Sequence, residues 1–192
     1  SLFGGFKSKM VKKHINLIVT GSSQANKALE LYQLLKTEFD INVIVSENAK
    51  HFVHFPDDVV IYDKLYDTDQ YEIGDETDSI IFRTNVALNL VYPATVDFIA
   101  KITHGIANDL PTTLFAIANA MVPTLIFPGH HTNFEKSPFY QRNIQIIHNT
   151  NPMVKVYDTF YGVFPDGEEG HGRVYDPQDT FDEVKRVLKY ND

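Results

Sequence analysis

Short runs of apolar residues alternate along the chain with longer segments in which apolar residues recur at helical spacing. The first run covers residues 15–20 and ends in Gly21-Ser22-Ser23, and apolar residues then recur every three or four positions from Ala28 to Phe39. This order predicts a strand, a tight turn and an amphipathic helix. Similar apolar runs predict further strands at residues 41–45, 59–62, 88–92, 124–127 and 154–157.

Helices are predicted behind the later strands, at residues 98–106, 112–120 and 137–147. Ser137 followed by Pro138 is a typical helix start, because proline is favoured at the first helical position. A capping box formed by Thr180 and Glu183 predicts the start of a closing helix. Strands that are apolar throughout and alternate with helices indicate a parallel sheet covered on both faces. The sequence therefore predicts one α/β domain with three layers.

The composition limits the classes of protein to which the chain can belong. Its 192 residues, of which 43% are apolar, suit one domain with a sizeable core. The sequence contains no cysteine, which excludes a disulfide framework, a thiolate metal cluster and a cysteine nucleophile. No apolar run approaches the roughly 20 residues of a membrane helix, and no signal-peptide core is present. We therefore expect a soluble, cytoplasmic protein that does not bind membranes.

Charge is distributed unevenly along the chain. The formal net charge of −8 argues against nucleic-acid binding driven by phosphate contacts. Residues 57–78 contain nine acidic side chains and one basic one, Lys64. This stretch is interpreted as a solvated loop rather than a metal site, because its spacing matches no calcium-binding loop. His51 and His54 lack an evident third ligand, so we predict no metal site there either. Residues 1–13 are interpreted as a flexible basic tail, with Met10 a candidate natural start, and residues 14–192 as the folded domain.

The candidate chemistry lies where the predicted strands end, since ligands of such sheets bind beyond the carboxyl ends of the strands. Small residues admit a ligand to the backbone, hydroxyls can bind phosphate oxygens, and helix N-termini favour anions. The loops that end the strands together favour a phosphate-bearing ligand; the alternative is that their glycines and prolines only form turns. The first loop matches neither GxGxxG nor GxxxxGK[ST], so one phosphate, as in FMN, suits it better than a dinucleotide or nucleoside triphosphate. Four strands end in such residues: Gly21-Ser22-Ser23, Ser46, Pro93-Ala94-Thr95 and Pro128-Gly129-His130-His131.

Four segments occur in the order and spacing of known motifs: residues 20–31 (TGSSQANKALEL), 93–102 (PATVDFIAKI), 105–113 (GIANDLPTT) and 138–144 (PFYQRNI). The second, third and fourth resemble the PASANT, GI(A/C)DNLLT and NPxxQRNI motifs of the homo-oligomeric flavin-containing cysteine decarboxylase family. The similarity extends from about residue 15 to residue 157. That family includes phosphopantothenoylcysteine decarboxylases and the peptidyl-cysteine decarboxylases of lantibiotic and linaridin biosynthesis; flavin prenyltransferases are related.

The resemblance implies a flavodoxin-like (Rossmann-type) doubly wound parallel sheet that binds FMN at a subunit interface, in trimers or dodecamers. It implies that FMN oxidises a cysteine side chain of the substrate, after which the adjacent carboxylate leaves as carbon dioxide and an enethiol results. The residues that would surround FMN are Gly21, Ser22, Ser23, Ser46, Phe52, Pro93, Ala94, Thr95, Asp97, Asn108 and Asp109. A glycine-rich stretch, residues 162–172, would fold over the substrate as a lid, although it could also be a plain exposed loop.

The chain departs from the family pattern in the residues that the chemistry needs. The usual catalytic histidine stands fourteen residues before the proline of PASANT, and that position is Ser79 here. The substrate motif PxMNxxMW stands here as residues 128–134, PGHHTNF, which lack the Met, the aligned Asn and the Trp. Substitute bases would be His130 or His131, which could equally be ordinary loop histidines. Asp97 could accept a proton or orient the flavin, or could cap the helix that follows it.

The altered loop PATVD is similar to the PATxD loop of the linaridin-type enzymes, which also lack the usual histidine. The favoured function is therefore FMN-dependent oxidative decarboxylation of a C-terminal cysteine in a ribosomally made precursor peptide. His131, Asn133 and Arg142 would contact this substrate, although Arg142 could instead make a structural contact. The alternatives are an FMN-binding protein without decarboxylase activity, a decarboxylase of small cysteine conjugates such as phosphopantothenoylcysteine, and an enzyme like the flavin prenyltransferases.

Overall fold

The computed structural model describes residues 11–65, 85–118 and 121–190. Ser79, most of the acidic stretch and residues 1–10 of the predicted tail lie outside these ranges. Eight strands are present in the described part: β1 (His14–Val19), β2 (Asp40–Val45), β3 (Ile61–Tyr62), β4 (Val86–Ala94), β5 (Thr124–Pro128), β6 (Val154–Val156), β7 (Phe160–Val163) and β8 (Glu169–Arg173). The helices are α1 (Lys27–Leu35), α2 (Val96–Thr103), α3 (Leu110–Ala118), α4 (Thr132–Glu135), α5 (Pro138–Thr150) and α6 (Pro177–Tyr190), with a 3₁₀ turn at Asn48–His51.

Six strands form one parallel sheet in the order β3-β2-β1-β4-β5-β6. The chain moves outward from β1 to β3 and then crosses back to the other side of β1 with β4. The reversal between β1 and β4 is the switch point at which doubly wound sheets form a ligand crevice. The predicted flavodoxin-like, doubly wound fold is confirmed.

Apolar side chains on the two faces of the sheet form separate cores. One core contains Leu17, Leu90 and Val184 and is covered by α1 and α6. The other contains Ile18 and Val91 and is covered by α2, α3 and α5. Because both faces are covered, the strands are largely apolar, as the sequence pattern predicted, although Asn16 of β1 and Asn89 of β4 are buried and joined by a hydrogen bond of 2.8 Å.

Helix starts differ from two of the predictions. Thr95, not Asp97, caps α2: the Thr95 hydroxyl accepts a hydrogen bond from the Phe98 N–H at 3.0 Å. The closing helix begins at Pro177 rather than at Thr180, because Asp176 accepts from the Gln178 N–H at 2.9 Å and proline occupies the first helical position. The predicted capping box at Thr180 is therefore wrong.

The glycine-rich stretch predicted as a lid belongs to an antiparallel hairpin, β7–β8, outside the main sheet. Its turn is closed by hydrogen bonds of 2.8 Å from the Phe164 N–H to the Glu168 carbonyl and from the Gly167 N–H to the Phe164 carbonyl. Regular backbone pairing thus accounts for most of the segment. Within the described ranges, no helix combines the length and apolar character needed to cross a membrane.

Candidate functional site

Thr20, which follows β1, ties the two sides of the switch point together. Its hydroxyl donates a hydrogen bond to the Pro93 carbonyl at 2.8 Å and accepts one from the Thr95 N–H at 2.9 Å. The Thr20 side chain is buried and lies between the loops that follow β1 and β4. These loops are therefore held at a fixed separation, and a crevice opens beside them.

A pocket of about 290 Å³ lies in this crevice. Six residues predicted from the sequence line it: Gly21, Ser46, Thr95, Asp97, Asn108 and Asp109. Six more line it that the sequence reasoning did not assign: Thr20, Glu47, Asn48, Phe98, Lys101 and Thr112. The four elements that contribute them meet at the carboxyl end of the sheet, where the sequence placed the ligand.

Gly21 has no room for a side chain. A Cβ built on it would lie 2.5 Å from Asn48 Cβ and 3.1 Å from the Asn48 carbonyl carbon. Its N–H donates to no group in the described part of the chain. The absence of a side chain lets the 3₁₀ turn at Asn48 approach the loop after β1 closely at the pocket wall.

Two of the carboxylates in the pocket wall form ion pairs. Asp97 forms an ion pair with Lys101 at 3.0 Å, and Glu47 forms one with Lys50 at 3.0 Å. The hydrogen bond of Lys50 with Asp63, opposed by partial burial and assisted by Glu47, holds the Lys50 pKa above its usual value. These ion pairs offset part of the negative charge that Asp97, in the first turn of α2, and Glu47, next to Asn48, bring to the pocket wall.

Asp109 and its neighbour Asn108 stand at the start of α3. The Asp109 carboxylate accepts from the Thr112 N–H at 2.9 Å, and the Asn108 N–H donates to the Thr112 hydroxyl at 3.1 Å. This reciprocal arrangement caps α3. Asp109 thus has a structural role in addition to its place in the pocket wall.

The remaining predicted cofactor residues lie around the pocket rather than in its wall. Ser22 is buried and accepts from the Gln24 N–H at 3.1 Å, whereas Ser23 is exposed. Phe52, at the end of the 3₁₀ turn, is 44% exposed. Pro93 and Ala94 are buried at the end of β4. The structure brings all of them to the same end of the sheet.

His130 is buried and paired. Its Nε2 lies 2.8 Å from Glu135 Oε1, which also accepts from the Thr159 hydroxyl. Burial favours a neutral Glu135 carboxyl, but the hydrogen bonds from His130 and Thr159 outweigh it and hold the pKa of that carboxyl below its usual value. An ionised carboxylate only accepts, so Nε2 carries the proton and the lone pair of a neutral ring is on Nδ1. That Nδ1 is buried without a hydrogen-bond partner in the described part of the molecule.

His131 is more exposed and differently engaged. Its Nδ1 accepts from the Asn133 N–H at 3.2 Å, which caps α4, and its Nε2 lies 2.8 Å from Asp166 in the hairpin turn. The ring therefore donates from Nε2 and has no free lone pair. Asn133 is exposed next to it. Arg142 lies on α5, exposed, with its guanidinium 5.6 Å from the centre of the Phe139 ring, and it does not line the pocket.

Two of the missed pocket residues carried a signal in the sequence. Lys101 stands four residues after Asp97, the spacing of an ion pair on one helix face. Thr20 is a hydroxyl residue at the end of an apolar run, like the predicted Ser46. Glu47 and Asn48 carried no signal, because a 3₁₀ turn brings them to the pocket and such short turns leave no periodic pattern.

Comparison with known proteins identifies a family and several relatives of this chain. The family model described as Flavoprotein matches residues 6–189. The chain is 27% identical over 185 residues to the coenzyme A biosynthesis bifunctional protein CoaBC of Haemophilus influenzae, an alignment that covers 90% of this chain and 43% of that protein. It is 33% identical over 128 residues to epidermin decarboxylase of Staphylococcus epidermidis, covering 64% of this chain and 65% of that protein. The chain thus spans less than half of the bifunctional relative.

A solved structure shares the fold. A mutant PPC decarboxylase complexed with pantothenoylaminoethenethiol superimposes with a TM-score of 0.86 over 93% of this chain and 100% of that one. The two sequences are 20% identical, so the likeness concerns the fold alone.

Proposed function

This chain belongs to the Flavoprotein family, as its motifs predicted, and we propose that it binds FMN and oxidatively decarboxylates the C-terminal cysteine of a ribosomally made precursor peptide. The observation that carries the proposal is the pocket at the switch point, whose wall combines the bare backbone of Gly21 with the Ser46 and Thr95 hydroxyls. Its similarity to epidermin decarboxylase supports the choice of reaction.

The residues present fit a flavin phosphate. The Gly21 N–H and the Ser46 hydroxyl would hold the phosphate, and the loop at Pro93, Ala94 and Thr95 would border the ring. At about 290 Å³ the pocket is near the lower limit of the roughly 300–1,000 Å³ typical of small-ligand sites. One chain would therefore cover only part of the cofactor, which supports a homo-oligomer in which a second copy covers the rest.

FMN, when bound, would supply the oxidation of the cysteine side chain. The protein must then orient the cysteine and accept its proton. We assign the proton-accepting role to His130 rather than His131, because only the His130 ring has an unengaged lone pair, on Nδ1. Since the His130 side chain is 4% exposed, the substrate would reach it only after a movement of the groups around the ring.

The surface beside the hairpin supports a peptide substrate over a small cysteine conjugate. Phe160, Tyr161 and Val163 of β7 are 45%, 61% and 61% exposed, and Phe134 of α4 is 49% exposed. Exposed aromatic and aliphatic side chains of this kind suit the side chains of an extended peptide.

A second candidate is an FMN-binding protein without decarboxylase activity. In its favour, no histidine is among the described residues that line the pocket. The position of the family's usual base, Ser79, lies outside the described residues. This candidate keeps the cofactor and its site but not the reaction.

The first test is an absorbance spectrum of the freshly purified protein, with release and identification of any bound flavin. FMN near one per subunit supports the site, and a colourless protein that also ignores added FMN would reject it. The flavin-loaded protein is then given a peptide that ends in cysteine, with a serine-ended peptide as control. Loss of about 46 Da (carbon dioxide and two hydrogens) from the cysteine peptide alone supports decarboxylation.

The other outcomes separate the alternatives. Turnover of phosphopantothenoylcysteine but not of the peptide would assign a small conjugate as substrate, and bound FMN without any turnover would favour the second candidate. His130→Gln keeps a donor for Glu135 but removes Nδ1, so it should bind FMN and lose turnover. His131→Ala should keep measurable turnover. If His130→Gln remained fully active, the assignment of the base would be wrong.

A further inference from the structure

The side chain of Gln24 joins the loop after β1 to the base of the hairpin. Gln24 is 4% exposed. Its Oε1 accepts a hydrogen bond from the Val174 N–H at 2.9 Å, and its Nε2 donates to the Gly172 carbonyl at 3.1 Å. The carboxamide thus pairs with the backbone at the end of β8 as a neighbouring strand would, across about 150 residues of sequence.

The same point of the hairpin also contacts the loop after β5. The Gly172 carbonyl accepts from the His130 N–H at 2.9 Å. Gly172 has a φ of 143°, and a Cβ there would overlap the His130 carbonyl, so only glycine permits this approach. The hairpin base is consequently held from two sides, by the β1 loop through Gln24 and by the β5 loop through His130.

Gln24 is separated from the pocket by one tight turn. The Ser22 N–H donates to the Thr20 carbonyl at 2.8 Å, and the Ser22 hydroxyl accepts from the Gln24 N–H at 3.1 Å. Gly21 lies between them in the pocket wall. A ligand that orders Gly21 therefore also orders the residue that holds the hairpin.

We propose that Gln24 is a positioning residue that transmits occupancy of the pocket to the β7–β8 hairpin. The proposal rests on the proposed function in taking FMN as the ligand of the pocket. Asp166 in the hairpin turn is hydrogen-bonded to His131. The position of the hairpin base therefore determines where this turn lies relative to the candidate histidines. Cofactor binding would in this way prepare the surface that receives the substrate.

Hydrogen–deuterium exchange measured by mass spectrometry tests the proposal on the full chain. Wild type and Gln24→Met are compared with and without added FMN, and bound flavin is measured by absorbance in the same samples. Methionine has a similar length but neither donor nor acceptor, so the buried Val174 N–H loses its acceptor. We expect amides of residues 160–173 to exchange about tenfold faster in the variant. FMN should slow them in wild type and leave them unchanged in the variant.

Gln33→Met, an exposed change on α1, is the matched control and should behave as wild type. If Gln24→Met fails to fold, Gln24→Glu replaces it, because it keeps an acceptor for Val174 but replaces the amide donor. Bound FMN that slows the hairpin equally in wild type and variant would show a merely structural role and overturn the proposal, as would bound FMN without effect on wild type. If wild type binds no FMN, the proposed function fails. The comparison without FMN then still tests whether Gln24 holds the hairpin. Faster exchange of the hairpin amides in Gln24→Met than in wild type would support that role, and equal exchange would overturn it.

Discussion

Replacement of Glu135 by alanine should destabilise the fold through two buried donors at once. The Glu135 carboxylate accepts from His130 Nε2 and from the Thr159 hydroxyl. The His130 side chain is 4% exposed and Thr159 is 8% exposed, so neither donor gains full access to water when the carboxylate is removed. Both would become unsatisfied buried groups, which is the costly way to lose a hydrogen bond.

The magnitude follows from these contacts. Each hydrogen bond to a charged acceptor contributes about 1.5–3 kcal/mol. The 20% exposure of the Glu135 side chain and water entry into the space left by it reduce the sum, so we expect a loss of about 3 kcal/mol in the free energy of unfolding. For a chain of this size, that corresponds to a Tm lower by roughly 6–12 °C. Glu135→Gln keeps an acceptor oxygen and should cost only about 1 kcal/mol.

Urea denaturation at neutral pH measures these differences, with Glu38→Ala as the exposed control that should change stability by less than about 0.5 kcal/mol. The pKa of the Glu135 carboxyl is lower in the folded than in the unfolded state. Its contribution is therefore present above the ordinary glutamate pKa of about 4.3 and is lost as pH falls through the lower folded value. Wild type should lose more stability on acidification below about pH 5 than Glu135→Gln. Equal acid dependence, or a Glu135→Ala variant as stable as the Glu38 control, would refute this reasoning.

Three further predictions concern other parts of the molecule. Gly21→Ala should lower FMN affinity at least about tenfold, measured by flavin fluorescence titration, because its Cβ would displace Asn48. Thr95→Ala should cost about 1 kcal/mol of stability by thermal denaturation, whereas Ser137→Ala should cost nothing measurable, because the Ser137 side chain makes no capping hydrogen bond. Tyr92, whose pKa is raised by burial above all, should not ionise in a spectrophotometric titration before the protein unfolds. Stability should consequently fall as pH rises above about 10, where only the unfolded tyrosine loses its proton.

The fold could be predicted because its signal is local and repeated. Each buried strand is an apolar run, and each helix carries an apolar stripe, so the order of elements identifies a doubly wound sheet. The end of the sheet that holds the pocket follows from that topology alone. The match of the predicted strand 41–45 to Asp40–Val45 is of this kind.

Where two residues near the start of a helix can both act as its N-cap, the residue types do not decide which of them does. Thr95 and Asp97 are both good caps, as are Asp176 and Thr180, and the backbone selects one of each pair. The hairpin was missed for a related reason. Its strands contain Gly162, Gly170 and other residues that are poor strand formers. The strands are held in place by hydrogen bonds to each other, to Gln24 and to the loop after β5.

The polar residues at the strand ends are the hardest to assign, because the same side chain that could bind a ligand can also satisfy the backbone. Counting hydrogen bonds separates these roles. Thr20 both donates to and accepts from the loop after β4, and is therefore structural. The Gly21 N–H and His130 Nδ1 have no partner in the described part of the chain, although each lies beside groups that are fully engaged. Because a folded protein rarely leaves such groups unpaired without a use for them, these two atoms are, among the residues that the sequence had already singled out, the strongest candidates for contact with cofactor and substrate.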